Sequence, residues 1–375
     1  MGWRRNQMMA KSRCELMFER SCNKSPFTQR SYLSCIRKFM TFARVSKMEE
    51  LLEGDQKSIQ ELVEDFVLSL DGTINPNSTP TQLAPIFLFY AMNDVILNTF
   101  KIKKMYPAKI KKQGFGAYSR EQIKMMLSNT KKKRARALVL TFVSSGCRIG
   151  GLIGLKMKDI VDIPNSECKC LKIYHDDSEE YLAFLTPEAA KALYEYFEQR
   201  LSKGETFTDD TPVFARNENY VRDNAIKTAK VVNPMSHSAI GHGIEYMLAS
   251  QQRTKDSGGR YKIPTTYGFR KYFNRSLKMG DNCNISIAEK LFGHSVQVKL
   301  DNHYLPIGMD ELFREFQKAI PELTISEEER QLLKIKHLEK DRREEEDKTA
   351  EIKLLREQTE ILKLRIERME LSKEQ

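Results

Sequence analysis

The chain has little that would tie it to an oxidising compartment, a metal or a membrane. Its seven cysteines, Cys14, Cys22, Cys35, Cys147, Cys168, Cys170 and Cys283, make an odd count and include no C-x-x-C pair. Cys168 and Cys170 form only a C-x-C, without a Cys or His partner at zinc-site spacing. A disulfide framework and a structural zinc are therefore not expected, and a reducing interior fits better. The N-terminal residues lack an apolar stretch of the kind a signal peptide uses. Met1-Gly2 is followed by Asn6 where a myristoylation signal needs Ser or Thr. No solenoid-period repeat is present. The most apolar segment, Leu83 to Ile102, carries Asn93 and Asp94 in its middle, so it reads as a buried helix and not as a membrane span. The expectation is a soluble, cytoplasmic protein without a membrane partner.

What the chain does have is positive charge. Lys and Arg number 62 against 51 Asp and Glu, for a formal net charge of +11. Such an excess suits a polyanion, nucleic acid first and an anionic membrane surface second. A length of 375 residues with 40% hydrophobic residues suggests two or three domains with ordinary cores.

Composition divides the chain into segments. Residues 1–24 are basic and irregular, with some helical potential. Residues 25–104 read as an all-helical domain. Ser25-Pro26 opens a helix with Tyr32, Leu33, Ile36, Phe39, Met40 and Ala43 at helical spacing, and Ile59, Leu62, Val63, Phe66, Val67 and Leu70 form a second stripe. Residues 105–118, with Pro107, Gly114 and Gly116, read as a basic linker. Ser119-Arg120-Glu121-Gln122 is a capping-box pattern that opens the next domain, 119–320. Within it a strand pair is expected near Leu171–Tyr174 and Tyr181–Leu185, turning at Asp176-Asp177-Ser178. Thr186-Pro187 then caps a helix reaching about Leu201. Residues 326–375 form a charged helix in which Ile352, Leu355, Thr359, Leu362, Ile366 and Met369 alternate steps of three and four. That is a short heptad register, read either as a lone helix or as an oligomerisation helix.

Four strings carry chemistry. In the first, residues 144–156, an apolar helix ends at Gly146, Arg148 follows, and a second short apolar helix begins. An arginine in such company needs a partner: an anion, or a structural carboxylate or carbonyl. The second string is Thr265-Thr266-Tyr267-Gly268-Phe269-Arg270, where Thr265 or Thr266 can cap a helix presenting Tyr267 and Arg270 on one face. The third ends in Leu291-Phe292-Gly293-His294-Ser295, and the fourth is Leu300-Asp301-Asn302-His303-Tyr304.

The order Arg148, Arg270, His294, Tyr304, in these contexts and at these spacings, resembles the tyrosine recombinase (phage integrase) family. The resemblance covers about residues 119–310. The Tyr-x-x-Arg variant and the lysine-rich composition are similar to archaeal and archaeal-virus integrases. The resemblance implies a mainly α fold with a small β-sheet (α+β), in which 25–104 is the core-binding domain and 119–320 the catalytic domain. It implies that the Tyr304 hydroxyl attacks a DNA phosphodiester, giving a 3′-phosphotyrosyl link and a free 5′-hydroxyl, with no cofactor or metal. Arg148 and Arg270 would each grip non-bridging oxygens of the phosphorane, and His294 would donate a hydrogen bond to the same phosphate. The implied partners are double-stranded DNA attachment sites and further copies of the chain, as a tetramer on DNA.

The sequence departs from the family pattern in three places. Tyr267 stands where a His is usual, Gly151 where an acidic residue is common, and the strand-pair turn lacks the general-acid Lys. Lys172 is the best substitute for that Lys and Lys169 the runner-up. Lys103, Lys104, Lys109, Lys111 and Lys112, then Lys131, Lys132, Lys133 and Arg134, are candidates for the DNA phosphate backbone. Tyr272, Tyr246 and Tyr220 read as packing residues. Leu312, Phe313 and Phe316 are candidates for docking on a neighbouring protomer. Two other functions share parts of this pattern: a catalytically impaired DNA-binding relative and a type IB topoisomerase-like enzyme.

Overall fold

The computed structural model describes residues 11–22, 26–110, 116–216, 232–251, 253–255, 261–279, 284–293 and 308–371. The chain divides into two compact units, Met1–Gln113 and Gly114–Gln375.

The first unit is helical: α1 (Arg13–Ser21), α2 (Pro26–Ala43), α3 (Gln56–Ser69), α4 (Thr79–Met92) and α5 (Thr99–Lys104). The two apolar stripes of the sequence meet in its core, where the Phe39 and Phe66 rings lie 5.1 Å apart, edge to face. α4 buries one broad face, with Leu83, Ile86, Phe89 and Tyr90 fully buried, and the Tyr90 hydroxyl donates to the Leu51 carbonyl at 3.0 Å. The apolar run of the sequence does not continue as one helix to Ile102. It stops at Asn93, whose side chain donates to the Phe89 carbonyl at 2.8 Å, and Asp94 turns the chain in the left-handed region at φ 60°. The polar pair that argued against a membrane span is thus the helix stop. Among the described residues no helix is long and apolar enough to cross a membrane.

The second unit opens with the expected capping box: Ser119 and Gln122 exchange side-chain and backbone hydrogen bonds at the start of α6 (Arg120–Ser128). Its central element is α7 (Lys133–Ser145), buried from Ala137 to Ser145. After α8 (Ile149–Gly154) come β1 (Ile160–Asp162), β2 (Lys169–Ile173) and β3 (Tyr181–Leu185), an antiparallel sheet in that order. The expected strand pair is therefore part of a three-stranded sheet. β1, with Ile160 opposite Leu171, is too short for its alternation to register in the sequence. Thr186 caps α9 (Pro187–Ser202), and its amide donates to Ser144 Oγ at 2.6 Å, tying the end of β3 to the end of α7.

The unit continues with α10 (His237–Met247), α11 (Tyr267–Lys278), α12 (Ile285–Leu291), α13 (Met309–Leu323) and α14 (Glu327–Leu371). α13 corrects one expectation. Leu312 and Phe316 are buried in the unit's own core, and the Phe313 ring packs 5.3 Å from Phe184, so this face is already covered. The six described cysteines are buried and free.

Among the described residues α14 is fixed at its root. Glu188 accepts the amides of Ile325 and Ser326 at 2.6 and 3.0 Å, and Lys191 and Lys336 pair with Glu329 and Glu167. Every described side chain from Lys334 onward is exposed, including Leu338, Ile352, Leu355 and Leu362.

Candidate active site

Two left-handed glycines organise the site. α7 ends at Gly146 (φ 56°), and the turn after α12 holds Gly293 (φ 58°). Both are places where a side chain is excluded as well as strained. A Cβ on Gly146 would lie 2.2 Å from Phe273 Cδ1, and one on Gly293 2.3 Å from Tyr181 Cδ1. Gly146→Ala is expected to cost about 1–2 kcal/mol for the left-handed backbone and roughly 1–3 kcal/mol for displacing Phe273. The thermal midpoint should then fall by on the order of 10 °C. Gly154→Ala, where nothing lies within 4 Å of the added methyl, should leave it unchanged. Thermal unfolding of the two variants checks this.

The carbonyls at these turns receive both arginines. Arg270, in the first turn of α11, is 5% exposed and donates from Nη1 to Gly146 O at 2.7 Å and from Nη2 to Phe292 O at 2.6 Å. Its guanidinium also lies over the Phe292 ring, 5.0 Å from the centroid. Arg148 is the exposed N-cap residue of α8 and donates from Nη1 to Gly293 O at 3.3 Å. The partners are carbonyls, so neither positive charge is neutralised by a carboxylate within these bonds. Two of the five N–H groups on Arg270 serve these carbonyls.

Around this pair the other candidates fall as follows. Tyr267 is 49% exposed at the first position of α11, one helical turn before Arg270. The threonines before it do not cap as expected: Thr266 has helical dihedrals and no capping bond, and Thr265 Oγ1 instead meets Glu245 Oε1 at 3.4 Å. Lys172 is half-buried in β2 opposite Leu182, and no ion pair of Lys172 occurs among the described residues. Lys169 is engaged elsewhere, paired with Asp162 at 2.6 Å and lying over the Tyr194 ring. Tyr272 is a packing residue whose hydroxyl donates to Glu322 O, whereas Tyr246 is 76% exposed and does not pack. His294, Tyr304 and Tyr220 lie outside the described residues. Cys147, between Gly146 and Arg148, is fully buried, and burial pushes its thiol up to about 11, which keeps it neutral.

Three residues in or beside the β2–β3 turn were not singled out in the sequence. Tyr174 and Tyr181 flank the β2–β3 turn, with rings 6.3 Å apart. His175 Nδ1 lies 2.6 Å from Oδ1 of the buried Asp159. Gly151 is glycine for a spatial reason: a Cβ there would lie 2.5 Å from Ile173 Cγ2, so an acidic side chain at that position has no room.

The sequence profile of the phage integrase family matches residues 118–308, a span holding both arginines, His294 and Tyr304. The chain belongs to the phage integrase family. That family is one of site-specific DNA recombinases, and this chain is one of them. Among curated proteins it is 23% identical over 322 residues to tyrosine recombinase XerC of Pelobacter propionicus, covering 84% of this chain and 96% of the relative. Among solved structures it resembles the Tn1549 transposon integrase in complex with a circular intermediate DNA. The TM-score is 0.54 at 12% identity, covering 81% of this chain and 98% of that one. It also resembles a lambda integrase dimer bound to a core site, with TM-score 0.50 at 14% identity, over 78% and 94% of the two chains. At these identities the structural likeness establishes the fold, mainly α with one small sheet.

The basic candidates of this family member lie in both units. Lys103, Lys104 and Lys109 are exposed in the first, with Lys104 over the Phe100 ring. In the second, Lys131 and Lys132 are exposed and Lys133 is half-buried. All three crowd the N-terminus of α7, whose first turn has no acidic residue. Arg134 donates to the carbonyls of Ala215 and Arg216 at 3.0 and 3.2 Å, which gives it a structural task in the chain. Lys111 and Lys112 lie outside the described residues.

Proposed function

We propose that this recombinase is catalytically active and cuts and rejoins DNA through a covalent link to Tyr304. The observation that carries the reading is the convergence of Arg148 and Arg270 on carbonyls of residues 146, 292 and 293, immediately before His294. Two guanidiniums held by neutral carbonyls keep their full charge for a phosphate, and Arg binds phosphate oxygens bidentately. The phenol of Tyr304 releases its proton to solvent water as its oxygen forms a bond to phosphorus, the bond to the 5′-oxygen breaks, and the phosphorane between them is stabilised by Arg148, Arg270 and His294. Lys172, as an ammonium, gives its proton to the leaving 5′-oxygen. Tyr267 donates a hydrogen bond to the phosphate and does not act as a base. The reverse attack by a 5′-hydroxyl of another strand rejoins the DNA, so no cofactor is required.

Double-stranded attachment-site DNA is the substrate. Lys103, Lys104, Lys109, Lys111 and Lys112 contact its backbone from the first unit and its connection, and Lys131, Lys132 and Lys133 from the second. Three lysines beside a helix N-terminus repel its dipole, and a bound phosphate relieves that repulsion. Residues 25–104 serve as the core-binding domain and 119–320 as the catalytic domain. The protein works in solution on DNA, in the cytoplasm of its host cell, as a tetramer.

The test is a suicide substrate: a candidate attachment site nicked beside the scissile phosphate, so that the cleaved 5′ fragment diffuses away. A covalent protein–DNA band on a denaturing gel, mapped to Tyr304 by peptide mass, is the expected result. Intact DNA binding without a band on any site tried would instead mark a DNA-binding relative without catalysis.

The tail gives a separate expectation. Ending the chain after Leu338 keeps the root of α14 and removes the exposed heptad face. Cleavage of a single nicked site should stay within about twofold, while paired-site complexes weaken by about tenfold or more, since several apolar contacts are lost. Gel-shift titration with one and two sites separates the effects. Unchanged paired-site complexes would rule out assembly through the tail.

A further inference from the structure

α11, which carries Arg270 in its first turn, begins without a side-chain cap, since Thr266 makes no capping bond. Part of what holds that turn comes from 147 positions before Thr265. Near the entry to the second unit, the Gly116 amide donates to the Lys262 carbonyl at 2.8 Å. Two residues on, Tyr118 is buried, and its hydroxyl donates to the Thr265 carbonyl at 2.9 Å. Burial raises this phenol, so it stays a neutral donor at physiological pH.

The Tyr118 ring lies against the turn itself. Its centroid is 4.7 Å from that of Phe269. A Cβ on Gly268 would lie 2.6 Å from Tyr118 Cε2 and 2.6 Å from Ile263 Cγ2, so only a glycine lets the helix backbone close on the ring. On its other side Phe269 stacks on Phe142 of α7, with centroids 5.8 Å apart and planes 7° apart. The Phe142 carbonyl accepts the Gly146 amide at 2.9 Å where α7 ends. Gly146 O is in turn one of the two carbonyls that hold Arg270. Tyr118, Phe269 and Phe142 thus form an aromatic column that joins the first turn of α11 to the last turn of α7, the two segments between which the Arg270–Gly146 bond is made.

We propose that Tyr118 is a positioning residue for cleavage: it seats the first turn of α11 against the end of α7 and so sets where Arg270 meets the scissile phosphate. This rests on the reading of Arg270 given above. Tyr118 acts through Gly268 and Phe269, the two residues before Arg270, and not on the phosphate. A misplacement of about 1 Å in a group that grips the reacting centre can cost on the order of 10²-fold in rate. The hydroxyl fixes the approach to the helix and the ring fixes its first turn, so the two can be removed separately.

The experiment measures single-turnover cleavage of the nicked substrate at saturating protein by full-length Tyr118→Phe and Tyr118→Leu, each alone and combined with Arg270→Ala. Thermal unfolding sets an assay temperature at which the variants are folded. Tyr118→Phe loses only the bond to Thr265 O and is expected to cleave about five- to tenfold more slowly. Tyr118→Leu loses the ring as well and should cleave on the order of 10²-fold more slowly, so phenylalanine rescues most of the loss. DNA affinity should stay within about twofold for both. The deciding arm is the combination: with Arg270→Ala there is no guanidinium left to place, and either tyrosine variant should cost no more than about twofold further. Wild-type rates from both single variants, or their full loss repeated on top of Arg270→Ala, would overturn the proposal. If Tyr118→Leu does not fold, Tyr118→Phe decides by the same two criteria. Wild-type cleavage by Arg270→Ala alone means that the reading of that arginine has failed. Slow cleavage by it, with wild-type cleavage by the tyrosine variants, means that only the positioning role has failed.

Discussion

Tyr304→Phe is expected to abolish the covalent protein–DNA product, lowering its formation by at least about 10⁴-fold, while DNA affinity stays within about twofold. The reason is chemical: phenylalanine keeps the ring, and the oxygen that bonds to phosphorus in the proposed mechanism is gone. A tyrosine hydroxyl has an unperturbed pKa near ~10, so it needs cationic neighbours to serve as a nucleophile. In the proposed mechanism that setting is Arg148 and Arg270, gathered on the carbonyls of residues 146, 292 and 293. The measurement is the denaturing-gel assay with wild type and variant side by side. A band that persisted in the variant would move the nucleophile to another phenol. Tyr267 is the first to test, being half exposed one turn from Arg270.

Arg270→Lys should lower single-turnover cleavage by about 10²–10³-fold, and Arg270→Ala by a similar or larger factor. Lysine is not a conservative replacement here. The guanidinium reaches Gly146 O and Phe292 O with separate nitrogens, and its planar fork carries five N–H groups in all. An ammonium on a flexible stem cannot span both carbonyls and also present a planar fork to phosphate. The substitution also has a structural cost. Removing the guanidinium leaves two carbonyls without these bonds, which costs roughly 1–3 kcal/mol each where they stay buried. Thermal unfolding must therefore accompany the kinetics. A lysine variant cleaving within about threefold of wild type would show that a point charge suffices at 270.

Local rules made much of the fold legible. The Ser119–Gln122 capping box and the start of α9 at Thr186-Pro187 are set by neighbours a few residues away, whereas the stop of α4 at Asn93-Asp94 falls inside the segment that reads as one buried helix. Non-local demands were less readable. β1 spans three residues and exists because β2 offers it an edge. Thr265 is drawn from its expected cap by Glu245, twenty positions earlier. The apolar face of α13 has the same pattern whether its own chain or a partner covers it, and its own chain does. In the site, the sequence order marked the arginines but not what holds them. An arginine bonded to carbonyls has no complementary residue type to look for. Tyr174 was hidden because a positive φ at a tyrosine leaves no mark in the local sequence.

The long terminal helix bears on how this molecule moves through solvent. At 1.5 Å per residue, the 45 residues of α14 extend about 67 Å, and among the described side chains those from Lys334 onward are exposed. A projecting rod adds drag with little mass. A single copy of this 43.6 kDa chain should therefore elute from a sizing column well ahead of a sphere of equal mass. An early peak would not by itself signal a dimer. Light scattering or sedimentation equilibrium, which weigh the particle regardless of its outline, are the measurements that count copies correctly.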